Sequence, residues 1–553
     1  MRKIIFSCLM TTLLIPVNIF AYTGEIIKEF ASPTKFPTGL TFDGKNLWLA
    51  DRHNDKLICI NPTTGKVIKQ IESPAYWPMG LCWDGEALWN ADIKGGIPLS
   101  ENYKGKIYRI NPENGSILST IEAPTPAPRG LAWDGKYLWC VDNMRDKLIK
   151  FSPEDGTTIK EFKSPSSEPR GITFDGKYLW ISDRIKDEIY MVDPSNGAVI
   201  LITDAPGAYT RGITYDGKNL WAVDYQTRKI YQLKVRDDEN YRKFNKRSSI
   251  VTYHHQIKNY GPGKLNIADI HIAMPVNRDN QEIVGKLSFT PKEPEFVTDK
   301  WGQKTAHFEF KNMKANQTKE ALMHVKVNTY NVRYFIFPDK VGDLSEAPDD
   351  IKNTYLKDNE KYQINNPIIQ NSVKKVVGNE TNSYWVARKI FNYLIDNMFY
   401  EMTGGWNTAP TVLARGNGSC SEYAFVFISM CRAAGLPARY VGSVVIRGDD
   451  ASLDDVFHRW VEVYLPNYGW IPIDPSGGDQ GSPRDQARYI GFVANRYLIT
   501  TQSGGGSETM HWNYNSNAWW TSEPKAFIVS DHFAEWEPIE NYPGKDLQSP
   551  VCK

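Results

Sequence analysis

The clearest hydrophobic pattern in the chain is one that repeats. A short apolar run (GLTF, GLCW, GLAW, GITF, GITY) leads into Asp-Gly, and a second run carrying Leu-Trp follows at once. The five instances are "FDGKNLW" at 42–48, "WDGEALW" at 83–89, "WDGKYLW" at 133–139, "FDGKYLW" at 174–180 and "YDGKNLW" at 215–221. Asp-Gly between apolar runs is a hairpin signal. A third run follows (KLICI, KIYRI, KLIKF, EIYMV, KIYQL), then a turn with Gly or Pro, then a fourth of the type "KVIKQIESP". The Asp-Gly pairs begin at Asp43, Asp84, Asp134, Asp175 and Asp216, and the wider second gap holds an insertion at 94–105. Four strands in each unit of about forty residues make a propeller blade. The last unit stops after its third strand, while "TGEIIKEFASP" at 23–33 matches a fourth strand. The chain's first strand is therefore expected to complete the fifth blade, closing the ring and hiding its sheet edges. Residues 22–236 are predicted to form a five-bladed β-propeller.

The period then changes. From about 246 to 340, stretches such as "SSIVTYHHQIKNYGPG", "LNIADIHIAMPV" and "ALMHVKVNTYNVRYFIF" alternate apolar and polar residues between Gly, Pro and Asn turns, a β-sandwich pattern. Its histidines, His254, His255, His271, His307 and His324, are spread over several strands and are expected to be structural. Residues 341–378 are polar with weak periodicity and are expected to connect. From 382 the pattern is helical, with Val386, Ile390, Leu394 and Met398 four apart and Asn382 or Ser383 as cap. The chain thus predicts a multidomain protein: propeller, sandwich and an α+β unit over 341–553.

The α+β unit carries the chemistry. In "RGNGSCSEYAFVFISMCRAAGLPARYV", 415–441, Ser419 and Glu422 form a capping box before an apolar run, and Gly435 with Pro437 stops the helix. Cys420 is then the first helical residue, where free backbone N–H groups and the helix dipole favour thiolate and can hold an oxyanion. Cys431 lies three turns on, too far for an intra-helix disulfide, in a buried stripe with Ala424, Phe427 and Ala434. In "FHRWVEVYLPNYGWIPIDPSGGD", 457–479, two strands flank the turn PNYG, which sets His458 and Asp474 opposite or nearly opposite each other. Asp474 would fix the tautomer of His458, and His458 would exchange a proton with Cys420.

These two stretches together resemble the transglutaminase-like superfamily: G-x-C-x-x-[YF]-A, R-x-x-G-[IL]-P-A-R, H-x-W-x-E-V and G-W-x-x-x-D-P are all present. The resemblance implies a papain-like core with Cys420 as nucleophile, His458 as base and Asp474 as its orienting acceptor. It covers about 380–500, and 246–340 looks like the β-module that often precedes such bacterial cores. It implies a thiol enzyme that forms a thioester from an amide or peptide bond, with hydrolysis favoured over transfer to an amine. The segment before Cys420 is richer in small residues than the family's usual approach. Trp406 is a candidate for the aromatic that some members keep near the oxyanion site, and the glycine-rich 503–507 is a candidate gate. The propeller units resemble NHL-type repeats in their P-x-G start and aromatic/Asp second strand.

Within the propeller, Asp51, Asp92, Asp142, Asp183 and Asp224 recur once per blade. They are read as turn acceptors rather than metal ligands. The position before each blade-opening Gly holds Thr38, Met79, Arg129, Arg170 and Arg211, so three neighbouring blades present Arg near one channel mouth, a candidate substrate-binding group for an anion. No metal site and no cofactor are implied, and no acidic loop suggests calcium. With 65 Lys+Arg against 64 Asp+Glu the net charge is +1, which argues against nucleic acid as a partner. The start, MRKIIFSCLMTTLLIPVNIFA, is read as a signal peptide (1–21) cut after Ala21, with Cys8 too early for lipid attachment. The expected mature protein is periplasmic or secreted, without an integral membrane segment, and acts on a protein or peptide, cell-wall peptide included. The alternatives are a non-catalytic extracellular binding or scaffold protein using the propeller, and a true amine acyl-transferase.

Overall fold

The computed structural model describes residues 22–74, 76–93, 105–236, 239–402, 406–448 and 452–539. The predicted signal peptide, most of the 94–105 insertion and Cys552 lie outside these residues. The five repeat units form five four-stranded antiparallel sheets, and Ile26–Ala31 completes the last by pairing with Lys229–Leu233, Phe30 opposite Ile230. The innermost strands, Pro37–Phe42, Pro78–Trp83, Pro128–Trp133, Pro169–Phe174 and Thr210–Tyr215, meet backbone to backbone around a closed ring, a propeller-like arrangement. The glycine that opens each unit, P-x-G in the first four and Thr210-Arg211-Gly212 in the fifth, makes this approach possible. A Cβ on Gly39 would lie 2.2 Å from Met79 O, one on Gly171 2.4 Å from Arg211 O, and one on Gly212 2.6 Å from Leu40 N. No side chain fits such gaps.

The other repeated letters have equally local causes. Asp175 Oδ1 accepts from the N–H groups of Lys177 (2.9 Å) and Tyr178 (2.7 Å) in the turn, and Oδ2 accepts from the Trp180 indole at 2.8 Å. The same indole bond, at 2.8 Å, joins Asp43 to Trp48, Asp84 to Trp89, Asp134 to Trp139 and Asp216 to Trp221. The second recurring aspartate takes turn N–H groups as expected: Asp183 from Ile185 at 2.8 Å and Asp224 from Thr227 at 2.7 Å. Asp175→Ala strips the acceptor from a buried indole and two turn amides and is expected to lower unfolding stability by about 1–3 kcal/mol. Urea unfolding followed by tryptophan fluorescence checks this, and an unchanged midpoint would contradict it.

The middle region forms two antiparallel sheets over a common core of Tyr253, Ile270, Phe308, Val325 and Trp536. The expected boundary, with 341–553 as one unit, is corrected here. Ala526–Pro538 pairs along Tyr241–Pro262, and Ser516–Ser522 pairs along Leu265–Ala273, so the chain's end returns to finish both sheets. Without these strands both would present a long open edge. The five scattered histidines make structural bonds, such as His254 to Glu320 at 2.9 Å and His255 to Ser516 at 2.7 Å.

The remaining residues build a small sheet, ordered Gly469–Ile473, His458–Leu465, Ala438–Val445, Tyr497–Ser503, with helices packed on it. Helix Ser383–Asn397 is capped by Asn382, whose side chain accepts from Trp385 N. The stretch 341–378 is more than a connection, because it contains helices Asp349–Tyr355 and Pro367–Val376. Asn366 followed by Pro367 is a cap-and-first-turn signal within an otherwise polar run.

This unit docks on the outer strand of the fourth sheet. That strand, Val199–Asp204 (VILITD), is buried nearly throughout, whereas its counterparts VIKQIE, ILSTIE and TIKEFK are mostly exposed. Arg388 Nη1 donates to Val199 O at 2.9 Å, and Arg484 makes two bonds to Glu188, at 2.8 and 2.7 Å.

Candidate active site

Helix Cys420–Ala433 starts where the capping box places it. The Ser419 N–H donates to Glu422 Oε2 at 3.2 Å, and Gly435 ends the helix at φ 87°. Glu422 is fully buried and has a second task. It pairs with Arg415 at 2.9 Å and accepts from Asn407 N at 3.0 Å, which ties the preceding loop to the helix start. Cys420 is half-buried at the helix N-terminus. Cys431 is fully buried among core residues and its thiol is pushed well up by burial. Cys59, Cys82, Cys140, Cys420 and Cys431 are all free thiols.

The hairpin brings His458 to the thiol. Its pairing runs from Leu465↔Gly469 to Val461↔Ile473, and beyond Ile473 the second strand ends. Continued in register, Asp474 would face Trp460, so His458 and Asp474 are diagonal neighbours on one face rather than directly opposed. That span is about 7–8 Å between backbones, within reach of imidazole and carboxylate. His458 Nε2 and Asp474 Oδ2 are 2.7 Å apart. The other carboxylate oxygen accepts from Ser476 Oγ at 2.8 Å and Gly477 N at 2.9 Å, which fixes the ring's acceptor in place. With Nε2 engaged, Nδ1 is the nitrogen left for the thiol, and His458 lies near enough to Cys420 to lower its pKa.

The electrostatics follow. Burial would raise the Cys420 thiol, but the hydrogen bond and charge of His458, with the backbone and guanidinium of Arg459, hold it below its ordinary value. Burial would lower His458, but the Asp474 carboxylate holds it well above its ordinary value. Burial would raise Asp474, and the same His458, with Gly477 N and Ser476, keeps it low. The charged forms of the three groups thus favour one another, each opposing the effect of its own burial.

Arg459 is a part of this site that the sequence reading missed. It is fully buried, its guanidinium 4.3–5.2 Å from the rings of Tyr514, Tyr440, Trp406 and Phe425, and Nη2 donates to Trp512 O. A positive charge stacked on aromatic faces beside the thiol favours the thiolate.

The cleft over Cys420 has about 260 Å³ of open space and is lined by Tyr400, Met402, Trp406, Phe457, His458 and Tyr514, with His532 at its side. Trp406 thus sits in the same cleft as the thiol. The glycine-rich 503–507 does not line it. Gly504 packs on Trp301 and accepts from Arg432, and Gly506 packs on Trp512. These close contacts pin the segment, so the gate expected there is not a free lid. Arg129, Arg170 and Arg211 gather elsewhere, at the centre of the sheet ring.

Residues 370–475 match the model of the transglutaminase-like superfamily, and the chain carries a domain of that superfamily. An uncharacterized protein of Haemophilus influenzae is 26% identical over 130 residues, 19% of this chain and 35% of its own length. The uncharacterized protein YebA of Bacillus subtilis is 34% identical over 71 residues, 11% of this chain and 10% of its own length. The matches to these curated relatives thus span about a third and a tenth of their lengths. Among solved structures, a protein proposed to be a cysteine protease, from Cytophaga hutchinsonii, aligns with TM-score 0.39 and 16% identity, over 54% of this chain and 93% of that one. The glutaminyl cyclase of Myxococcus xanthus aligns with TM-score 0.33 and 16% identity, over 39% and 97%. The virginiamycin B lyase of Staphylococcus aureus aligns with TM-score 0.24 and 24% identity, over 37% and 69%.

Proposed function

We propose that the chain is an exported thiol hydrolase of amide or peptide bonds, with Cys420, His458 and Asp474 as its catalytic triad. The observation that carries this reading is the chain of contacts from a half-buried thiol at a helix start, through His458, to Asp474 at 2.7 Å. The Cys420 thiolate attacks the carbonyl carbon, and the electron pair of the C=O bond moves to oxygen. Backbone N–H groups at the start of the helix are placed to receive that charge. As the C–N bond breaks, the His458 imidazolium gives its proton to the leaving nitrogen, and a thioester remains on Cys420. Water attacks the thioester while His458 takes its proton. The acid leaves, and the thiolate–imidazolium pair is restored. An amine in place of water would make the same step an acyl transfer.

In this reading 22–236 is a five-bladed β-propeller that holds a substrate or partner. The two sheets of 241–334 and 516–538 are a β-sandwich that joins the propeller to the catalytic unit. Residues 1–21 direct export to the periplasm or beyond. The substrate class is protein or peptide.

The test incubates the mature protein with a pool of synthetic peptide amides, with and without a fluorescent primary amine, and traps thioesters with hydroxylamine. Wild type is expected to release free acids, and Cys420→Ala to lose at least about 1,000-fold in rate, the scale on which a nucleophile contributes. Amine incorporation in place of acid would assign the transferase. Equal rates in wild type and Cys420→Ala would overturn the reading.

A further inference from the structure

At the centre of the sheet ring, the residues before the blade-opening glycines face one another. Arg129, Arg170 and Arg211 come from the third, fourth and fifth sheets, and with Thr38 they line one narrow channel. Solvated arginines at loop starts would point outward, yet Arg170 is 9% exposed and the other two are half-buried. They are held by few partners. Arg129 Nε donates to Asn143 at 2.7 Å, and Arg211 Nη2 donates to Tyr209 OH at 2.9 Å. Arg170 pairs with Glu168, the same carboxylate that Arg184 approaches at 3.7 Å. Among the described residues, Glu168 is the one carboxylate paired with these three guanidinium groups. Arg170 Nε and Arg211 Nε are buried and have no hydrogen-bond partner among the described residues.

Like charges this close disfavour one another. Arg129 is held down to about 10, first by its burial and then by Arg170 and Arg211. It remains charged at neutral pH, so the ring's centre keeps a surplus of positive charge. Buried N–H groups aimed at no acceptor are costly, and forked guanidinium groups match the oxygens of a carboxylate or phosphate. Aromatic faces stand beside them. Arg211 lies 4.6 Å from each of the Tyr209 and Tyr225 rings, and Arg184 lies 4.7 Å from Tyr209.

We propose that this mouth, built by Arg129, Arg170 and Arg211, is a binding site for a compact oxyanionic group, a carboxylate or a phosphate. Two guanidinium N–H groups without acceptors and a three-to-one excess of cations are what an oxyanion completes. The enclosed space between the arginines is only about 10 Å³, room for about one water, so the oxyanion is expected to rest at the mouth rather than enter the channel. The three arginines lie on adjacent sheets, so the ligand is expected to sit off the ring axis, toward Arg170. The site is independent of the thiol chemistry.

Calorimetric titration of the mature protein with sodium phosphate, and separately with sodium acetate, at low ionic strength tests the proposal. Saturable binding of one or both is expected, with the probe that binds naming the oxyanion class. Arg129→Gln and Arg211→Gln are each expected to weaken it at least tenfold, while Cys420→Ala leaves it unchanged. A failure here is therefore distinct from a failure of the hydrolase reading. If a glutamine variant does not fold, Arg129→Lys decides, because it keeps the charge but loses the planar fork and is expected to bind several-fold more weakly. Absence of saturable binding of both probes to wild type, or equal affinity in wild type and the arginine variants, would overturn the proposal.

Discussion

Replacing His458 by alanine is expected to slow the alkylation of Cys420 by iodoacetamide at pH 6 by about 10- to 100-fold. An ordinary thiol of pKa about 8.5 is thiolate in only about 0.3% of molecules at that pH. The wild-type thiol is held low by the His458 hydrogen bond and charge against the upward pull of its burial. More of it is therefore ionised at that pH than of an ordinary thiol. The gain in reactivity is smaller than the gain in thiolate, because nucleophilicity falls with pKa. The variant keeps Arg459 and the helix N-terminus, which retain part of the effect.

The signs set the pH profile. The thiolate persists until pH falls through the lowered pKa of Cys420, and the imidazolium persists until pH rises through the raised pKa of His458. Wild-type alkylation should therefore be flat between these two limits and fall only on the acid side. His458→Ala should instead climb with pH through the alkaline range, as a lone thiol does. A wild type that climbs in the same way, at the same rate, would mean that no ion pair exists, and the hydrolase reading would lose its chemical basis.

How much of this was legible in the sequence depended on how local each cause is. The capping box, the stop at Gly435 and the hairpin around 467 are set by neighbours in sequence, and the helix does start at Cys420 while the hairpin leaves His458 Nε2 2.7 Å from Asp474 Oδ2. The ring was legible because each repeat carries its own reasons: glycine for the close approach, aspartate for the turn and the indole. The return of 516–538 to the two sheets was not legible, because its partners lie more than 240 residues away and nothing local names them. Arg459 was hidden by the alternation of HRWVEVYL, which reads as one wet face and one dry face. The strand is central and covered on both sides, so Arg459 shares the buried face of Val461 and Val463. The docking strand was legible in principle. VILITD lacks the polar residues that VIKQIE, ILSTIE and TIKEFK keep at matching positions, and an outer strand apolar on both faces needs a cover.

That docking surface gives the second large effect. Arg484→Ala is expected to destabilise the contact between the sheet ring and the transglutaminase-like unit by about 3–5 kcal/mol, the cost of leaving one partner of a buried pair alone. Arg484 and Glu188 are each 9% exposed in their side chains and are joined twice, at 2.7 and 2.8 Å. Burial would raise Glu188, but Arg484 holds it below its ordinary value. In the wild type the pair therefore stabilises above the unfolded carboxylate's pKa, and the contribution fades as pH falls through the lower folded value. In the variant the sign reverses. Glu188 loses both hydrogen bonds and keeps only the charges of Arg333 and Arg488 against its burial, so its pKa rises, and the penalty is largest at neutral pH and relieved as acid protonates it. The gap between the two proteins in urea midpoint should thus be widest near pH 7 and narrow toward pH 4. The double variant Glu188→Gln, Arg484→Met removes both charges and should recover most of the loss, since a buried ion pair contributes little over uncharged groups of similar volume. If Arg484→Ala alone leaves the midpoint unchanged at pH 7, the ion pair is not what holds the units together, and the apolar cover of Val199–Asp204 must do so unaided.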